Sequence, residues 1–395
     1  MVSTHGPADV VSTRGPADAV STHGPLMHVA IDARLAHYTA GGIAHHTLNL
    51  ARALAEAAPD DRFTLLRSVR QRGGLPRAHN LRSTPLVTPP HHRFEQLALP
   101  LEVAWVRPDL LHCPDFIPPF RRTCPVVVTV HDLAFLRFPE TLTPESRRYY
   151  GQVRRAIESA ERTIVVSEAT ARDLAELLEV GTERVRVVHN GLDPVFQQRP
   201  DPAETARVRA RWGLERPYVM FLGTLEPRKD VPTLLRAFAP VHAEHPDLLL
   251  ALVGRRGWLY APIFAEIEAL GLREVVRHIE DAADADLLPL LDGASAFAFP
   301  SRYEGFGLPP LEALARGVPT VVADTSSLPE VVGDAALLFP PGDHEALAAA
   351  LRRLLSDDGL RADLRARGPA RAAGFTWERA ARETLAVYCE ALGLS

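Results

Sequence analysis

From Met27 onward the chain repeats one unit: a short, continuously apolar run, a stretch with helical spacing, and then another apolar run. Such alternation predicts parallel strands joined by crossover helices. The runs fall at 28–32, 63–66, 110–112, 126–130, 163–167 and 185–188, then at 218–223, 248–254, 275–279, 296–300, 320–323 and 336–339. Most do not alternate with polar residues, as expected of strands covered on both faces. Asn190-Gly-Leu-Asp-Pro194 and the polar stretch 197–204 divide the two groups and read as an interdomain hinge. The expected fold class is α/β, with parallel-sheet domains at 27–195 and 196–375. A final helical segment at 376–395 has Thr376 as N-cap and an apolar stripe through Trp377, Ala380, Ala381, Leu385, Tyr388 and Leu392, which needs a surface to cover it. Ligands of open parallel sheets bind at the carboxyl ends of the strands, so two such sheets predict a cleft between domains lined by the loops that follow strands.

Bulk properties narrow the function classes. A formal charge of −5 over 395 residues argues against a dominant nucleic-acid partner, which requires a basic surface. No apolar stretch approaches the ~18 residues of a membrane span. Cys113, Cys124 and Cys389 are far apart and show no metal or disulfide spacing, which fits a reducing cytoplasm. Residues 1–26 carry a nine-residue repeat built on Val-Ser-Thr-His/Arg-Gly-Pro-Ala-Asp, read as a disordered low-complexity extension without signal-peptide character. Met27 is expected to begin the functional unit.

Chemistry-bearing residues collect in the loops after strands. Gly41 and Gly42 open a helix, where backbone amides and the helix dipole suit a phosphate, although a plain structural turn has the same form. His131 follows the apolar run 126–130 and is positioned to donate to a sugar hydroxyl or to carry a proton near neutrality; a capped core histidine is the competing reading. Lys229 is the only lysine in the chain, beside Arg228 and ahead of Asp230, a candidate helix cap. Two cations at a helix start are unfavourable unless an anion offsets them, and a diphosphate would do so. In Arg302-Tyr-Glu304-Gly-Phe-Gly-Leu-Pro-Pro-Leu-Glu312, seven residues separate two carboxylates able to accept from vicinal hydroxyls, and the amides of Phe306, Gly307 and Leu308 could hold phosphate oxygens.

Three other features read as structural. Asp284 and Asp286 imitate a metal-binding pair but suit a helix start. The pairs His45-His46 and His91-His92 lack a carboxylate at ligand spacing. The arginine-rich stretch 145–162 has the makings of a membrane-surface helix, against which a solvated face is the preferred reading.

The chain from Met27 onward resembles retaining glycosyltransferase family 4, in its mannosyltransferase-like subgroup. The resemblance is carried by Gly41-Gly-Ile-Ala-His-His-Thr-Leu-Asn-Leu50, Val128-Thr-Val-His-Asp-Leu133, Val166-Ser-Glu168, His189-Asn-Gly-Leu-Asp193, Gly223-Thr-Leu-Glu-Pro-Arg-Lys229 and the Glu304/Glu312 pair. It implies the GT-B fold: two Rossmann-like domains facing a central cleft, the first on the acceptor side and the second holding the nucleotide-sugar, with the C-terminal helix crossing back to the first. It also implies that Arg228 and Lys229 hold the donor diphosphate, that Glu304 and His131 contact the transferred sugar, and that Glu312 contacts the ribose. Gly41, Gly42, Asn190, Phe306, Gly307 and Leu308 complete the donor site. One departure stands out: many members have arginine where this chain has Thr224, which leaves the cationic duty to Arg228 and Lys229.

The expected activity is therefore retaining transfer of a hexose, mannose from GDP-mannose in the leading reading, to a glycan, lipid-linked or small-molecule hydroxyl. No cofactor and no metal are required, since the nucleotide-sugar is a substrate. Cytoplasmic placement, with peripheral contact at the inner face of the membrane as an option, accompanies that reading. A UDP- or dTDP-sugar donor, a nucleotide-sugar epimerase and a non-catalytic two-domain sugar-binding protein are the alternatives.

Overall fold

The computed structural model describes residues 26–38, 41–198 and 201–394. The repeat at 1–25 lies outside them. Among the described residues, thirteen parallel strands form two sheets. The first has seven strands: β1 (His28–Asp32), β2 (Arg62–Ser68), β3 (Leu81–Leu86), β4 (Leu110–Cys113), β5 (Val126–Val130), β6 (Arg162–Val165) and β7 (Val185–Val187), in spatial order β3-β2-β1-β4-β5-β6-β7. The second has six: β8 (Tyr218–Leu222), β9 (Leu249–Val253), β10 (Val276–Ile279), β11 (Ala296–Phe299), β12 (Thr320–Ala323) and β13 (Leu337–Phe339), in order β10-β9-β8-β11-β12-β13.

Central strands are buried along their whole length, as in Val126–Val130 and Leu249–Val253, because crossover helices cover both faces. β3 was not among the expected strands. Its sequence, Leu-Arg-Ser-Thr-Pro-Leu, pairs only with β2 at the sheet edge, where Pro85 is tolerated and half the side chains meet solvent.

In both sheets the order reverses beside the first strand, between β1 and β4 and between β8 and β11. Loops after these strands open toward the switch-point crevice, where α/β sheets place their ligands. The chain passes between the two units twice, and the crossings are tied together: Leu192 N–H donates to the Phe375 carbonyl at 2.9 Å. Gly191 lies under the start of the last helix, where an added Cβ would come within 2.5 Å of the Trp377 nitrogen.

That last helix, Trp377–Leu392, is capped by the Thr376 hydroxyl, which accepts from Arg379 N–H. Trp377, Ala380, Ala381, Leu385 and Tyr388 join Val29, Leu50, Leu54 and Phe63 in one core on a face of the first sheet. Each large side chain so covered is worth on the order of 1.5–3 kcal/mol. Polar contacts reinforce the docking: Tyr388 OH meets His112 Nδ1 at 2.7 Å, and Glu390 pairs with Arg162 and Arg186.

The stretch 145–162 is not one amphipathic helix. It breaks into Pro144–Tyr150 and Val153–Ser159, with Val153, Ala156 and Ile157 buried and Tyr150 stacked on Phe135. Its apolar residues face the protein core, which leaves the arginines on a solvated surface.

Candidate active site

The loop after β8 forms a single tight turn, Pro227–Lys229, before the helix Val231–Glu244. The turn directs Lys229 inward, where it is buried. Its ammonium donates to Glu304 Oε1 and lies 5.0 Å from the centroid of the Phe299 ring. Arg228 Nη1 donates to Glu304 Oε2 at 3.0 Å and to the Tyr303 carbonyl at 2.9 Å, while Nε pairs with Glu226 Oε1 at 2.6 Å. The two cations and two glutamates are thus balanced one for one, so the anion expected from the helix-start argument need not come from a ligand.

Burial opposes ionisation of Glu304, but Lys229 and then Arg228 overcome it and hold the carboxyl down to about 2. Burial, in turn, pulls the Lys229 ammonium below its ordinary value despite Glu304. One ammonium proton is committed to Glu304, and an ammonium has three to give. Arg228 Nη2 makes no hydrogen bond among the described residues. Asp230 sits at the helix start but does not cap it with its side chain; its carboxylate accepts from the Thr233 hydroxyl and from Arg302 instead.

Glu304 itself is held by its backbone, which donates to Ser326 Oγ at 2.9 Å, while the Ser327 hydroxyl donates to the carbonyls of Glu304 and Phe306. Gly307 takes φ +112° at the start of the helix Leu308–Ala315, a backbone conformation that favours glycine, and an added Cβ would also press on the tip of the Leu328 side chain at 2.9 Å. Pro309 and Pro310 occupy the second and third helical positions and have no N–H. The amides available to a phosphate at that end are therefore few, with Gly307 and Leu308 foremost. The Phe306 ring points away into the core against Phe375, leaving only its backbone for a ligand.

Glu312 is half-buried on the same helix, and among the described residues no ion pair joins it to the cations that hold Glu304. Desolvation first, and the nearby Asp193 second, push its carboxyl up to about 7.

Across the cleft, Gly41 caps the helix Gly42–Ala57 and Gly42 opens it. A Cβ added to Gly42 would meet nothing within 4 Å, and its φ is not in the left-handed region, so the fold itself does not demand a glycine. His131 stands at the end of β5, its ring held by the Pro114 carbonyl and its Nε2 buried without a partner. Desolvation pushes its pKa down to about 4. Burial thus favours the neutral ring, and with Nδ1–H given to Pro114 its Nε2 is free to accept a hydrogen bond. His46 lies edge-on to it at 4.6 Å and is held by Asn190, whose Oδ1 accepts from His46 Nδ1 at 2.8 Å. Asn190 is thus buried beneath the first helix and engaged by His46. Asp286 is committed as well, receiving Arg211 and Trp212 Nε1.

The two units touch directly at this site. A Cβ on Gly305 would fall 1.8 Å from the His131 carbonyl oxygen, so the residue after Glu304 packs against the His131 backbone. Ser167 and Thr170 hydroxyls donate to the Gly305 carbonyl, and Tyr303 OH donates to Asp173 while accepting from Leu133 N–H. Glu330 accepts from the amides of Glu168 and Ala169 and pairs with His189 at 2.6 Å, capping a helix of the opposite unit. Sequence reading quoted Ser167, Glu168, His189, Tyr303 and Gly305 within motifs but missed their bridging role, and missed Thr170, Asp173 and Glu330 altogether, because each bridge depends on a partner over 100 residues away. On the first unit's side of the cleft, buried Arg34 binds Asp32 and Glu95, fixing the carboxyl end of β1.

Comparison with known proteins bears on this geometry. Residues 40–196 match the Glycosyltransferase Family 4 model and residues 203–371 the Glycosyl transferases group 1 model. The chain is similar to the O-antigen chain mannosyltransferase B of Escherichia coli, 31% identical over 374 residues that span 89% of this chain and 96% of that one. It is also similar to the serotype-specific mannosyltransferase WbdA of Escherichia coli, 27% identical over 72% of this chain but only 37% of WbdA's own length. Among solved structures, sucrose-phosphate synthase from Thermosynechococcus elongatus shares the fold with a TM-score of 0.76 at 22% identity, covering 93% of this chain and 100% of that one. With two facing parallel sheets, a returning C-terminal helix and both family models matched in order, the chain belongs to glycosyltransferase family 4 and is a glycosyltransferase of the GT-B fold.

Proposed function

We propose that this enzyme transfers mannose from GDP-mannose, with retention of configuration and without a metal ion, to a hydroxyl of a glycan or lipid-linked acceptor. It works in the cytoplasm, peripheral at the inner face of the membrane. The observation that carries the donor reading is the Arg228–Lys229 pair set against Glu304 at the mouth of the second sheet, in a chain whose relatives include mannosyltransferases.

In this reading the donor phosphates meet Arg228 Nη2, the uncommitted ammonium protons of Lys229 and the amides at Gly307, Leu308 and the Gly41–Gly42 turn. The bond from the anomeric carbon to the phosphate oxygen breaks, and charge develops on the leaving oxygens. Fixed cations aimed at those oxygens stabilise that charge most where water is excluded, which is the largest rate term available here. The acceptor oxygen bonds to the anomeric carbon on the face the phosphate leaves, and its proton passes to a phosphate oxygen.

Glu304 supports this route over a covalent one. Its carboxylate is held down to about 2 and both oxygens are shared with cations, which makes it a weak nucleophile and an unsuitable acid; it retains lone pairs to accept from sugar hydroxyls. His131 Nε2 accepts a further sugar hydroxyl, Asn190 acts through His46, and Glu312 meets the ribose, protonated below about pH 7.

Incubation of the protein with GDP-mannose, UDP-glucose and dTDP-linked hexoses separately, with hydrolysis and thermal stabilisation as readouts, tests the donor. GDP-mannose should stand at least ~10-fold above the rest, the scale of one well-recognised hydrogen-bonded group. A UDP- or dTDP-sugar preference would replace it, and an epimerised sugar released without acceptor would overturn transfer. Activity unchanged by EDTA and an α-configured product by NMR are expected.

A further inference from the structure

The helix Glu95–Val106 has two apolar faces. Leu99 and Val103 are buried against the first sheet, and Glu95 is locked to Arg34 beside the end of β1. On the other side, Phe94, Leu97, Leu101 and Trp105 are 50%, 67%, 68% and 88% exposed. At 100° per residue these four fall within roughly an 80° arc, a stripe about 16 Å long that starts at the cleft and runs away from it. Such a row of large exposed side chains marks an interaction surface.

Charge identifies the partner. Between Arg62 and Arg107 the sequence has eight arginines, two glutamates and no aspartate, in a chain whose net charge is −5. Both glutamates are committed: Glu95 to Arg34, and Glu102 to the amides of Val87 and Thr88. None of the eight arginines is ion-paired among the described residues. Arg93 sits over the Phe94 ring at 4.7 Å, while Arg62 and Arg82 line with Trp105 a surface cleft of about 430 Å³. A second copy packed by twofold symmetry on this face would bring the same arginines together, which is repulsive. An anionic lipid surface presents the complementary charge and accepts the apolar stripe between its headgroups, with tryptophan suited to that interface.

We propose that the Phe94–Leu97–Leu101–Trp105 stripe, ringed by Arg62, Arg82, Arg93 and Arg107, is the surface by which this enzyme docks onto an anionic bilayer. This rests on the peripheral placement proposed above and names its surface. The docked face leads directly to the cleft, since the stripe begins one residue before Glu95.

Flotation of the full chain with vesicles of phosphatidylcholine alone, and of equal parts phosphatidylcholine and phosphatidylglycerol, tests the assignment. Wild type should float with the anionic vesicles and be released by salt. Leu97→Ser/Leu101→Ser/Trp105→Ser should weaken binding at least ~10-fold, and Arg82→Glu/Arg93→Glu at least ~5-fold, with donor hydrolysis in solution and thermal stability unchanged. No flotation of wild type would overturn both the surface and the peripheral placement. Flotation that the stripe variant retains, or that Arg147→Glu/Arg148→Glu abolishes instead, would overturn the surface alone. A dimer seen by light scattering and dispersed by the stripe variant would make the face a contact between copies and overturn the lipid assignment.

Discussion

Lys229, the chain's single lysine, gives its ammonium to Glu304, 75 residues further along, and both are buried. The lysine that composition singles out is therefore half of an internal ion pair before any substrate arrives, and the partner is itself a proposed substrate-contacting carboxylate. Arg228 bonds the other oxygen of the same carboxylate.

The identity of the cation at 229 should matter. Arginine would have to place a planar fork where a compact ammonium fits between Glu304 and the Phe299 ring. Lys229→Arg is expected to lose at least ~10-fold in kcat, and Lys229→Ala or Glu304→Ala at least ~10²-fold. Turnover with saturating nucleotide-sugar measures this, and wild-type rates in Lys229→Arg would make the lone lysine incidental.

Stability should show the same pairing. Glu304→Gln leaves Lys229 buried without its carboxylate and should cost ~3 kcal/mol near pH 7, and Lys229→Met should restore part of it in the double variant. The Glu304 pKa is depressed, so its contribution is present above pH 4.5 and fades as pH falls toward 2. Urea unfolding of wild type and Glu304→Gln at pH 7 and pH 3 reads this out; an equal gap at both would argue against the ion pair.

Glu312 has the opposite sign. Its pKa is raised from 4.5 to about 7, so folding is favoured by its neutral form below pH 4.5 and that advantage is lost as pH rises through 7. At pH 8 Glu312→Gln should be more stable than wild type, by at most ~3 kcal/mol, and indistinguishable at pH 4.5. Thermal melts at the two pH values decide it, and a constant offset would contradict the assignment.

Gly305 and Gly42 make a contrasting pair. Alanine at 305 must displace the His131 carbonyl or part the two units; small-angle scattering should show a larger radius of gyration, and transfer should fall at least ~10-fold. Alanine at 42 meets open space, so stability should stay within ~0.5 kcal/mol while the Michaelis constant for donor rises about 10-fold through crowding of a phosphate. An unaltered constant would remove Gly42 from the site.

Much of this architecture is legible in sequence because it is local. A strand covered on both faces is continuously apolar, and a crossover helix carries its own period, so the interior strands announce themselves, and the short runs of the edge strands β7, β10 and β13 are still apolar enough to be read. β3 does not, since an edge strand tolerates arginine, serine and proline. Gly41, His131, Lys229 and Glu304 are found by one rule, that ligand-facing loops follow strands. What those residues touch is another matter. That Glu304 bonds both cations, that His131 packs against His46, that the Asp230 side chain does not cap its helix, and that Glu330 caps one across the cleft are settled by which chain segments the fold brings together. Charge balance and desolvation depend on those distances and on burial, and neither is a property of residues taken in order along the chain.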